Sequence, residues 1–207
     1  MNRGELRTAV AARLAIAPTG DGLLTTTELD RCVNQALRDL SDVKQWPWLL
    51  TSAALVFVDG VAAFPTDPAV VHLRELTIND RRAKKASSLG EFLDSLTGAG
   101  RHVWFYEGTD IKLAPVPSTA PTSATLYYLQ AEPELTEDGV SPLAPSQYHN
   151  VVVARAAYHA EVRRSKWESA AQHNGEYEAG LRRMGSARLT TGPRAVRAVG
   201  STSWAVW

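Results

Sequence analysis

Apolar positions along the chain change period twice, from helical spacing to short extended runs near residue 53 and back to helical spacing after Pro145. Leu6, Val10 and Leu14 recur at helical spacing, and Pro18, Gly20 and Gly22 end that first helix. The next helix is better marked. Thr25 and Glu28 make a capping box, and Leu29, Cys32, Val33, Ala36, Leu37, Leu40 and Val43 form one apolar face opposite Asp30, Asn34, Arg38 and Asp39. Pro47 disfavours helical geometry at Trp46 and has no backbone donor, so the helix should stop near Gln45.

Between Ala53 and Gln130 the runs are short and extended. ALVFV, Asp59-Gly60 and VAAF read as a hairpin, because Asp-Gly tolerates the positive φ angles of a tight turn. VVHLRELTI, HVWFYEG, IKLAP and ATLYYLQ read as further strands of a small antiparallel unit, interrupted by one short helix from Leu89 to Leu96. Neighbouring aromatics in a strand point to opposite faces, so Trp104, Phe105, Tyr106, Tyr127 and Tyr128 are read as core or subunit packing in preference to a stacking platform for sugars or bases.

From Val151 to Ala160 only Arg155 and His159 are polar, and with Arg163 they form one narrow stripe. A helix so apolar is covered on more than one side, either inside its own bundle or against a neighbouring subunit. Val151, Val152, Ala156 and Tyr158, with Trp167 and Tyr177 of the following helix, are the interface residues of that reading. Gly175 and Gly180 weaken the expectation that the last helix is continuous. After Gly185 the chain carries Arg188, Arg194 and Arg197 without an acid and ends in Trp204, Val206 and Trp207, which reads as an extended arm. The fold class expected is therefore α+β: a bundle of N- and C-terminal helices (residues 1–50 and 132–185), an inserted small antiparallel β domain (51–131) and a C-terminal arm (186–207).

Composition narrows the chemistry. The 207 residues are 44% apolar, enough for a real core, and 22 Lys and Arg balance 22 Asp and Glu, so no global field announces a partner. The single cysteine, Cys32, falls on an apolar helix face, and neither a disulfide nor a thiolate cluster follows from one thiol. Glu5, Arg7 and Arg13 interrupt the apolar residues at the start, so no signal peptide is expected, nor any membrane span, and the protein is expected to be made inside the cell. His159-Ala160-Glu161 matches half of a zinc deaminase signature whose cysteine half is missing. Glu132, Glu134, Glu137 and Asp138 are expected to form a solvated loop, not a glycosidase pair. No enzyme, cofactor or metal site is expected.

The order of several segments resembles the head-to-tail adaptor (connector) proteins of tailed bacteriophages. They are Ala36-Leu37-Arg38-Asp39-Leu40 before Trp46-Pro47-Trp48-Leu49; Ala63-Phe64-Pro65-Thr66-Asp67; Tyr106-Glu107-Gly108 before Ile111 to Pro117; Leu126 to Leu129 before Glu134 to Asp138; and Glu176 to Met184. The likeness covers residues 3 to 185. It implies a structural virion protein in the neck, assembled as a homo-oligomeric ring, commonly of twelve copies, under the portal protein. Such a ring extends the channel, meets the next tail or neck protein, and passes duplex DNA without reading its sequence. Within this picture Trp46, Pro47 and Trp48 mark the junction between helices and β domain, or simply fill one core, with Trp48 expected to be the more buried tryptophan. The arm residues Arg188, Arg194, Arg197, Trp204, Val206 and Trp207 would dock on the portal, or else pack on the chain's own β domain or the next subunit. Other tail rings, such as a stopper or nozzle, and a small ligand-binding module are the competing functions.

Overall fold

The structure is a computed structural model, which describes residues 1–66, 69–79, 81–96, 101–116 and 122–190, with side chains to residue 185. It is mixed α+β, with five α-helices and a seven-stranded sheet among the described residues. The chain forms two compact units: Met1–Leu40 together with the chain from Glu134, and Ser41–Pro133.

The first unit is helical. Helix α1 (Arg3–Arg13) is capped by Asn2, whose side chain accepts from the Glu5 backbone while Glu5 reaches back to the Asn2 backbone. Helix α2 (Thr26–Val43) begins with the expected capping box, Thr25 and Glu28 each bonding the other's backbone N–H. Leu29, Cys32, Val33, Ala36, Leu37 and Leu40 are buried as expected, but two positions depart from the pattern. Val43 is 54% exposed at the helix end, and Asn34, expected on the polar face, is buried. The Asn34 amide accepts from Leu135 N–H at 3.0 Å and donates to its carbonyl at 3.3 Å, satisfying backbone groups that would otherwise be buried unpaired.

Helix α4 (His149–Arg163) packs against α1 and α5 (Trp167–Thr190). Its Val152, Ala156, Ala157 and Ala160 are fully buried. Helix α5 runs through both Gly175 and Gly180 without interruption. Gly180 is there for space, since a Cβ at that position would lie 2.7 Å from a methyl of Val151. The helix also continues past Gly185 to Thr190, so the first residues of the expected arm, Arg188 among them, are helical.

The second unit is the sheet: β1 (Leu50–Phe57), β2 (Val61–Ala63), β3 (Val70–Ile78), β4 (Arg81–Lys85), β5 (Val103–Glu107), β6 (Asp110–Ala114) and β7 (Thr122–Gln130), ordered β1-β7-β3-β4-β5-β6-β2. The Asp59-Gly60 turn is present, with φ of 51° and 78°. The expected hairpin ladder is not. β1 pairs along its whole length with β7 and β2 pairs with β6, so the two strands share only the Val58–Val61 bridge. Because β1 and β2 are the two ends of the strand order, that tight turn requires the sheet to curl until its ends meet. Inside the curl lie Leu55, Phe57, Leu76, Ile78, Trp104, Ile111, Leu113, Leu126 and Tyr128.

The unit is also not wholly antiparallel. β4 and β5 are parallel, joined by a crossover that contains α3 (Leu89–Ser95), as parallel neighbours require a long connection. Phe92 of α3 packs on Val103 and Ala114 through that crossover, beside Phe105.

Candidate assembly site

Two polar clasps shape the helical unit, and each unit leaves some apolar side chains uncovered. The acidic segment before α4 is the first clasp. Glu134, Glu137 and Asp138 are exposed, as expected of a solvated loop, yet two of them are held by arginines. Asp138 accepts from Arg3 at 2.7 Å and from Arg7 at 2.7 Å, and Arg7 also donates to Asp30 at 3.0 Å. Hydrogen bonds from Arg7 and then Arg3 pull the Asp138 carboxyl down to about 2. Glu134 accepts from Arg38 at 3.3 Å, and Glu132 is itself buried. Across the sequence this ties residues 134–138 to α1 and α2.

The second clasp uses the polar stripe of α4. Arg155 donates to Asp39 and, at 2.8 Å, to Asn174, while its guanidinium lies 4.5 Å from the Tyr158 ring centre and 5.0 Å from that of Tyr177. A planar cation between two rings is held by its faces as well as its edges. His159 donates to Asp39 at 2.9 Å. Burial works to raise the Asp39 carboxyl, but hydrogen bonds from Gln35, Arg155 and His159 outweigh it and hold it low. Burial in turn depresses His159, with Asp39 opposing, so the imidazole is neutral near pH 7. The other half of the deaminase-like triplet, Glu161, is buried and faces Arg164 at 3.3 Å, and Arg164 also reaches Asp21 at 3.0 Å. His159 and Glu161 are therefore engaged by separate partners, Asp39 and Arg164. Cys32 is packed inside, its thiol pushed up to about 11 by burial.

The residues singled out from the sequence are distributed as follows. Trp46 and Trp48 stack at 4.7 Å with 13° between their planes, around a short 3-10 turn that Pro47 opens. The order of burial is the reverse of the expectation: Trp46 is 3% exposed and Trp48 only half-buried. Val152, Ala156 and Tyr177 are buried, Val151 and Tyr158 are half-buried, and Trp167 stands 65% exposed at the start of α5. Arg194, Arg197, Trp204, Val206 and Trp207 lie outside the described residues, as does the side chain of Arg188.

Alternation alone could not have identified the outward surface of the sheet. β1 is an edge strand whose outward positions include Leu50 and Val56, both about half exposed, and α3 shows Leu89, Leu93 and Leu96 on one side. An edge strand with apolar outward residues is a surface that natural proteins normally cover. No described helix is long and apolar enough to cross a membrane.

The helical unit is cross-linked by buried and half-buried polar groups, while Trp167, Leu50 and Val56 remain exposed. In comparison with protein families, the family model described as SU10 adaptor protein matches residues 1–198, and the chain belongs to that family. It is thereby a bacteriophage adaptor, a structural component of the virion that associates with other head and tail proteins. No curated protein matches the chain.

Proposed function

We propose that the chain is the repeating subunit of a homo-oligomeric ring, twelve copies by resemblance, that joins the portal to the tail and carries the DNA channel across the neck. The observation that supports this best is the apolar surface each unit leaves open, above all Trp167 at 65% exposure. A ring interface is heterologous, so one such patch is buried against a different face of the next copy and every copy is treated alike. The chain from residue 191 is the portal-docking segment in this reading: Trp204, Val206 and Trp207 fill pockets, and Arg194 and Arg197 set register against carboxylates. Val151, Tyr158 and Trp167 face the neighbouring subunit, and Trp46, Pro47 and Trp48 are the junction residues of this reading. Balanced charge favours assembly on the portal as template over rings formed in isolation.

The test is to mix the full chain with its portal and image the product. A closed ring on the portal, absent from the adaptor alone in light scattering at micromolar concentration, is expected. Deletion of residues 191–207 should leave a folded subunit that no longer joins the portal. Assembly on a tail protein but never on the portal would make the chain a stopper or nozzle subunit instead.

A further inference from the structure

Helices α4 and α5 form an antiparallel hairpin whose two ends are shaped differently. At the turn end stands Trp167, the first residue of α5, 65% exposed. At the open end, where Gly180 meets Val151, lies a cavity of about 320 Å³. Its floor is Val151, Ala154, Ala179 and Gly180, buried or half-buried, three of them too small to fill the space. Its rim is exposed and cationic: Arg13 of α1, ion-paired with Glu176, and Arg183.

Trp167 cannot reach this cavity within its own chain. Gly180 lies about 20 Å along the α5 axis from it and roughly 140° around it, at 1.5 Å and 100° per residue. The uncovered indole and the hollow therefore point different ways from opposite ends of one hairpin. A second copy brings them together. Such a contact is heterologous: it leaves one tryptophan free on one side and one hollow free on the other, so it repeats from copy to copy.

The hollow suits an indole in chemistry and size. The apolar floor takes the ring, and a guanidinium at the rim lies over its π face. A volume of roughly ten waters at about 30 Å³ each admits one large side chain and no folded element. Area then decides when the contact forms. Two-thirds of a tryptophan leaves roughly 100–160 Å² to bury, out of about 150–250 Å² for a whole aromatic side chain, against about 800 Å² per partner in a stable interface. It does not hold free copies together, but it registers copies already set side by side. We infer that Trp167 of one copy inserts into the cavity at Val151, Ala179 and Gly180 of the next, an inference that rests on the ring reading and names a contact within it.

The test uses the full chain mixed with its portal. Asn150 is on the cavity rim and Glu168 is beside Trp167, at opposite ends of the hairpin, while Cys32 is buried. In Asn150→Cys/Glu168→Cys, which keeps Trp167, a short bis-maleimide should join neighbouring copies into a ladder on a denaturing gel, and neither single variant should be joined. Trp167→Ala should leave the melt of the free subunit unchanged and weaken assembly at least about tenfold, with Trp167→Phe recovering part of the loss. Rings imaged on the portal without cross-linking, or formed as readily by Trp167→Ala, overturn the contact and leave the ring reading standing. If Trp167→Ala weakens rings that do not cross-link, the portal is the occupant. No ring at all overturns both. A lower melt for free Trp167→Ala overturns the contact too, because the indole would then be covered by its own chain, residues 191–207 included.

Discussion

The two units of this adaptor hold themselves together differently. The β unit encloses a continuous apolar interior, from Phe57 and Trp104 to Tyr128, each nearly fully buried. The helical unit also buries Leu6, Leu29, Leu37 and Val152, but it is cross-linked by ion pairs and hydrogen bonds: Arg3 and Arg7 on Asp138, Arg155 and the neutral His159 on Asp39, Arg164 on Glu161 and Asp21. An apolar interior responds mainly to lost volume, whereas an ion-paired one responds also to pH and salt.

The largest effect should come from emptying the sheet interior. Trp104→Ala is expected to destabilise by about 3–5 kcal/mol, the range for deleting a buried aromatic, read by urea denaturation. Trp46→Ala comes next, at about 3 kcal/mol on the same basis, and Trp48→Ala should cost clearly less because that ring is half-exposed; an equal or larger loss at Trp48 would overturn the burial order. In the helical unit, Gly180→Val should cost about 1–3 kcal/mol by overpacking against Val151, and pairing it with Val151→Ala should recover part of that loss.

Acid should separate the two modes of stabilisation with a smaller effect. His149 is buried, accepting from the Met1 amine at 2.7 Å and bonded to the Ala144 carbonyl at 2.9 Å, and burial depresses it as it does His159. Both folded values lie below the ordinary 6.5, so the unfolded chain takes up protons first. Their contribution is present above about pH 6.5 and is lost as pH falls below it. Asp39 and Asp138, also lowered, add a second loss below about 3.8. In the β unit Glu75 is raised by burial, with Arg82 and Arg101 opposing, so its share runs the other way and is lost as pH rises. Melting followed by helical circular dichroism should therefore fall from pH 7 to 5, and His159→Gln should remove part of that slope. A flat profile from pH 7 to 5 in the wild type would show that the buried His149 and His159 contribute nothing. The smallest effect is expected at Val43→Ser, within about 0.5 kcal/mol, because that side chain is already exposed.

What could be read in advance was whatever a segment declares about itself. The Thr25–Glu28 box starts α2, α3 begins at Leu89 as expected, and the alternating runs of β3 and β7 are strands. β4 was missed because Arg81-Arg82-Ala83-Lys84-Lys85 has one buried position and no alternation to detect; it is a strand because β3 and β5 offer it ladders. The clasps were equally hidden. Asp138 finds Arg3 and Arg7, and His159 finds Asp39, across more than a hundred residues.

Period, caps and turn residues are properties of a few neighbouring side chains, so the order of helices and strands, the Asp59-Gly60 turn and the adaptor resemblance were all present in the chain itself. Partnership was not. Which strand β1 would take, whether β5 would run parallel to β4, which tryptophan would be buried and which acids would be clasped were decided only when the sheet curled and the helices packed. Those outcomes minimise unpaired backbone and uncovered apolar surface over a whole unit, and no local pattern carries that sum.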